Sequence, residues 1–87
     1  INMKHMFLHE RYYLYSGFVT EKHFSLLIEI STIRSDKIRK ALSVYFVDGE
    51  SRSNVCEKYN VAQSCLSMKI KELQRLSKFV YELQPFY

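Results

Sequence analysis

Eighty-seven residues carrying a net charge of +4 are enough for one small domain and no more. Two glycines and one proline leave little punctuation for a sheet of many hairpins, and two cysteines do not make a disulfide framework. No apolar run approaches the roughly 18 residues that cross a membrane, and no secretory segment is visible. The expectation is an all-α domain in a reducing, cytoplasmic setting.

Residues 1–19, "INMKHMFLHERYYLYSGFV", form an aromatic amino-terminal arm with Phe7, Tyr12, Tyr13, Tyr15 and Phe18. Its "RYYLY" fits either a short strand or an extended arm, with Gly17 ending it. The chain opens on Ile, so its native start is expected to differ. A chain of this size buries roughly 60–65% of its unfolded surface, and exposed rings call for a cover. The rings therefore either cover the core or meet a second copy, and a homo-oligomer is expected.

Residues 20–87 form the main domain. Thr20 is a candidate N-cap, and "EKHFSLLIEIS" follows as a helix with Phe24, Leu27 and Ile28 on one face. Leu26 and Ile30 widen that face, so nearly complete burial is expected. Ser35 caps a second helix, "DKIRKALSVYFV". There Ile38, Leu42, Tyr45 and Phe46 keep helical spacing, Asp36 sits in the first turn, and Gly49 suits the C′ position.

Ser51 caps a third helix to about Tyr59. Asn60-Val61-Ala62 is a tight link to a fourth, about Gln63 to Leu83, which Pro85 ends. Its apolar line is Leu66, Ile70, Leu73, Leu76, Val80 and Leu83. From Leu73 onward the steps are 3, 4 and 3, a seam that fits a core edge or a dimer zipper.

Two helices over so short a link read as a helix-turn-helix. Val55, Tyr59, Val61, Leu66 and Ile70 supply its internal contacts, and Cys56 is the small residue where the helices meet. Asn60 stands where glycine is usual and tolerates positive φ. A groove-reading unit of this kind presents the start of its second helix to double-stranded DNA. The outward residues are Ala62, Gln63, Ser64, Ser67, Met68 and Lys71. Gln63 matches an adenine edge and the serines match bases or phosphates, whereas Ala62 is a poor cap.

With a single charge on that strip, DNA shape, AT-richness or several bound copies must supply much of the specificity. Arg52, Lys58, Lys69 and Lys71 are candidates for phosphates; Arg52 also fits a solvated first-turn residue. Residues 51–87 carry six bases and three acids, while residues 21–50 carry five of each. The basic excess suits a polyanion.

The stretches "HF-LLI-IS-I-SD" (His23 to Asp36) and "AL--Y-V-G-SR--VCEKY" (Ala41 to Tyr59), then Ser67, Leu73, Leu76, Leu83 and the closing "PFY", resemble the PapB/FocB-type regulators of fimbrial (adhesin) operons in enteric bacteria. The resemblance runs from about Thr20 to Tyr87. It implies an all-helical, nucleoid-associated transcription regulator that binds AT-rich DNA upstream of a fimbrial operon as an oligomer. Arg52 and Cys56 fall on a motif pair of the family's DNA-binding region. The departures lie before Thr20 and in "AQSCLSMKI".

The other chemistry is sparse. Cys56 and Cys65 fit buried packing better than redox or metal work, and His5 with His9 is two ligands short of a zinc site. No acid pair, nucleophile–base set or glycine-rich phosphate loop is present, so neither catalysis nor a cofactor is expected. The competing class is a helical protein-interaction adaptor that does not bind DNA, suggested by the aromatic arm and the leucine seam.

Overall fold

A computed structural model describes residues 11–87; the His5–His9 pair and Phe7 lie outside them. Four α-helices follow one another: α1 Glu21–Ile30, α2 Asp36–Phe46, α3 Arg52–Tyr59 and α4 Gln63–Leu83. A 3₁₀ turn, Gln84–Phe86, closes the chain, with Pro85 at its start. The first three helices begin on hydroxyl caps. Thr20 accepts from the His23 amide, Ser35 from Ile38 and Ser51 from Asn54, each satisfying a donor that has no partner within its helix.

The core lies where α2 and α4 meet α1 and α3. Its largest fully buried side chains are Phe46, Leu42, Leu66, Leu73 and Val55. On α1, Phe24, Leu27 and Ile28 are buried, but Leu26 and Ile30 are 55% and 58% exposed. The expected near-complete burial of α1 is therefore wrong. One stripe of this helix meets α2 and α4, and nothing covers its other side among the described residues. Ser31 ends α1 from within the core, donating to the Ile28 carbonyl and accepting from the Ile33 amide. Arg34 and Arg39 donate to carbonyls at Ser31 and Ile33 and brace the link to α2.

Residues 11–19 pack onto this body without forming a strand. Gln74 of α4 gives Leu14 both hydrogen bonds that a neighbouring strand would supply. Its amide nitrogen donates to the Leu14 carbonyl and its oxygen accepts from the Leu14 amide, each at 2.8 Å. Ser77 donates to the Tyr12 carbonyl at 2.6 Å. Leu14 and Val19 are buried. The amides of Gly17 and Val19 both donate to the Phe46 carbonyl, one of the acceptors that the end of α2 leaves unsatisfied.

Gly49 does not occupy the C′ position expected of it. Helix α2 ends at Phe46 with Val47 as its cap, and Gly49 lies beyond, with φ +80° against Gly17 at φ +83°. A Cβ on Gly49 would stand 3.0 Å from the Gly17 Cα. The contact needs two bare backbones, and both residues use the left-handed region that favours glycine.

Helix α4 outruns its neighbours. Twenty-one residues span about 31 Å, against about 12–17 Å for the other three helices. Leu73 of the leucine seam is buried and Leu76 packs on the core, but Val80 and Leu83 are 39% and 49% exposed. The seam is a core edge only over its first half.

Replacing Gly49 by Ala is expected to cost about 1–2 kcal/mol from backbone conformation alone. At about 4–8 °C per kcal/mol for a domain of this size, a thermal melt reads the loss directly.

Candidate nucleic-acid interface

The join between α3 and α4 is built by its backbone. Asn60 takes φ 54°, ψ 53°, in the left-handed region, which Asn tolerates better than most residues. The amides of Asn60 and Val61 both point back to the Cys56 carbonyl. Lys37, from the first turn of α2, donates to the Asn60 carbonyl at 3.2 Å. Beneath the turn, Val55, Cys56, Val61, Leu66 and Ile70 are buried and Tyr59 packs against the same core. Both cysteines are free thiols, Cys56 buried and Cys65 half-buried. No group of three or more metal-binding side chains occurs among the described residues.

Ala62 caps α4 without a side-chain hydrogen bond, so its first amides are open to water or to an anion. From there Ala62, Gln63, Ser64, Met68 and Lys71 are exposed and Ser67 is half-buried. The burial of Leu66, Ile70 and Leu73 on the opposite stripe sets this arrangement.

Arg52 is not a loose solvated side chain. Its guanidinium donates to the Ser67 hydroxyl at 2.9 Å and lies 5.6 Å from the centre of the Tyr45 ring. It thus ties the start of α3 to the exposed strip of α4 and to α2, while staying open to solvent.

The remaining two cations sit elsewhere. Lys58 pairs with Glu50 at 3.8 Å and lies over the Tyr59 ring. Lys69 pairs with Glu72 at 3.4 Å, and Glu72 also accepts from Thr32. Two positions from Lys71, Lys69 points to nearly the opposite side of the helix. The structure brings Arg52, Ala62, Gln63, Ser64, Ser67, Met68 and Lys71 to one surface, and leaves Lys69 off it and Lys58 with a counterion.

Over residues 1–87 the chain matches the family described as PapB, adhesin biosynthesis transcription regulatory protein. The chain belongs to this family. It is 43% identical over 84 residues to the regulatory protein FanB of Escherichia coli, covering 95% of this chain and 85% of FanB. It is 42% identical over 74 residues to the major pilus subunit operon regulatory protein PapB of the same organism, covering 85% and 71% of the two chains. The crystal structure of E. coli FocB superposes with a TM-score of 0.81 at 39% identity, covering 99% of each chain. The all-helical fold is thus shared with FocB, and the chain is a fimbrial or adhesin operon transcription regulator by family.

Several residues of this PapB-family surface escaped the sequence reading. Tyr45 keeps the helical spacing of α2 and packs against the core, and its ring also lies under Arg52; no sequence period reports that contact between α2 and α3. Arg75 and Lys78 continue the side that Ser64 and Lys71 begin. They follow Lys71 by four and seven residues, a spacing legible in the sequence once the buried face of α4 is known.

Cys56→Leu is expected to lower stability by about 1–3 kcal/mol, because added volume beneath the turn forces the two helices apart. Denaturant unfolding measures this, and Cys56→Ala should cost less than the leucine variant.

Proposed function

We propose that this PapB-family regulator binds AT-rich, double-stranded promoter DNA of a fimbrial or adhesin operon through the α3–turn–α4 unit, as a homo-oligomer in the bacterial cytoplasm. One observation carries the reading. The Arg52 guanidinium is hydrogen-bonded to Ser67 on an exposed polar strip at the start of α4, so one phosphate-seeking cation and the base-facing residues move as a unit. In this reading Gln63, Ser64, Ser67 and Met68 face the bases, and Arg52 and Lys71 take phosphates. Lys58 and Lys69 give up their carboxylates only at some cost, and contribute less.

A strip with so few bidentate readers favours DNA shape and the loading of several copies over base-by-base recognition. Residues 20–87 serve as the binding domain, with residues 11–19 folded onto it. Self-association is supported by Phe79, Val80, Leu83 and Phe86, which are 47%, 39%, 49% and 80% exposed on the free end of the chain; clustered apolar surface of this kind marks contact sites. No described helix is long and apolar enough to cross a membrane.

Gel retention of an AT-rich duplex by the pure chain is expected at low salt, with log affinity falling linearly as log salt rises. Arg52→Ala should weaken binding to AT-rich and GC-rich duplexes alike and reduce the salt slope by about one, while the thermal midpoint moves little. Absence of any duplex retention at low salt would sink the proposal and favour the adaptor reading. Sedimentation at tens of micromolar is expected to give a mass above that of one chain, and Leu83→Glu should return it to the single-chain value.

A further inference from the structure

Arg52 sits where its charge does nothing for the helix that carries it. It is the first residue of α3, whose first turn holds no acid, and the amino end of a helix disfavours a cation. Among the described residues it makes no ion pair, and nearby Glu50 is paired with Lys58. Its two ties are to neutral groups. They are the Ser67 hydroxyl, at 2.9 Å, and the Tyr45 ring, whose centre lies 5.6 Å from the guanidinium carbon. Neutral ties fix a guanidinium in place without cancelling its charge.

Tyr45 can hold Arg52 because it is itself held. It is half-buried in the last turn of α2 and packs against the core. Its ring meets the ring of fully buried Phe46 edge-on, with centroids 4.9 Å apart and planes at 79°. Its carbonyl accepts from the Ser16 hydroxyl at 2.7 Å. The next carbonyl, that of Phe46, accepts from the amides of Gly17 and Val19. The amino-terminal segment thus fastens the backbone beneath the ring on which Arg52 rests.

The consequence lies in the cost of contact. A free arginine surrenders rotamer freedom when it captures a phosphate, and one already held surrenders less. The face of an aromatic ring attracts a cation at this distance, so the ring restrains the guanidinium and leaves its charge for a partner.

We propose that Tyr45 is a positioning residue for DNA binding, whose ring holds the Arg52 guanidinium ready for a backbone phosphate. The inference rests on the DNA-binding reading above. It adds a residue of α2, outside the α3–turn–α4 unit, that acts through Arg52 and not by touching nucleic acid. It requires a phosphate contact and no particular groove.

The test places either phenylalanine (Tyr45→Phe) or pentafluorophenylalanine at position 45 of the full chain. Fluorine nearly preserves the shape of the ring and withdraws the negative charge from its face, which is what attracts the cation. Affinity for an AT-rich duplex is read by fluorescence anisotropy at about 50 mM salt, where weakened variants still bind. Circular dichroism checks that each chain is folded.

Tyr45→Phe is expected to bind as the wild-type chain does, and the fluorinated ring about two- to fivefold more weakly. With Arg52→Ala also present, the two rings are expected to bind alike, a result that a packing role for Tyr45 would not produce. A partly fluorinated ring should fall between them, and it keeps the comparison available if full fluorination disturbs folding. Equal affinity of the two rings beside Arg52 overturns the proposal. So does an equal loss on fluorination in the Arg52→Ala background, because the ring then meets DNA itself. A Tyr45→Phe variant as weak as the fluorinated one also overturns it, since the hydroxyl is then what counts. A wild-type chain that binds no duplex overturns the DNA-binding reading itself.

Discussion

The domain is organised by one mismatch of length. Helix α4 is about twice as long as the helices it packs against, so its first half carries most of the apolar burial and nothing past Ser77 is buried. Leu66, Ile70 and Leu73 lock that half to Leu42, Phe46 and Val55. This sets which side of α4 faces outward, and everything exposed on the helix inherits its direction from those contacts. A single stripe of aliphatic packing therefore aims the polar strip near the turn and the cations beyond it.

The other parts work to keep that direction fixed. Asn60 turns the chain in the left-handed region, and Lys37 holds the turn from α2. Arg52 then spans α3 and α4 at the surface, adding a polar tie above the apolar one. At the opposite side, residues 11–19 close the end of α2 through the Phe46 carbonyl and clasp α4 through Gln74. The glycine pair at residues 17 and 49 lets these two loops touch. Few apolar groups are spent beyond Leu76, so the far half of α4 keeps an apolar side and a basic side exposed.

The local features were legible in the sequence because their causes are local. Thr20, Ser35 and Ser51 cap helices with their own hydroxyls, and Asn60 adopts positive φ in the turn. Burial was less legible. Leu26 and Ile30 are apolar at positions that extend the helical stripe, yet both face outward, because α1 is touched on one side only. Gly49 was read as a helix stop, whereas its conformation serves a contact with Gly17, 32 residues away in the chain. Lys69 and Lys71 look alike in sequence; the position of the core separates one with a carboxylate partner from one without.

By itself, the sequence determined the helix boundaries, the turn at Asn60, the basic second half and the family, since propensity, capping and motif spacing all act over a few residues. Only the tertiary structure decided which sides of α1 and α4 are covered, that Arg52 reaches Ser67 and Tyr45, and that Gln74 holds the amino-terminal segment. The hydrogen bonds among these join residues 15 and 60 positions apart. Such contacts form when helices pack, and packing depends on the whole core at once rather than on any window of the chain.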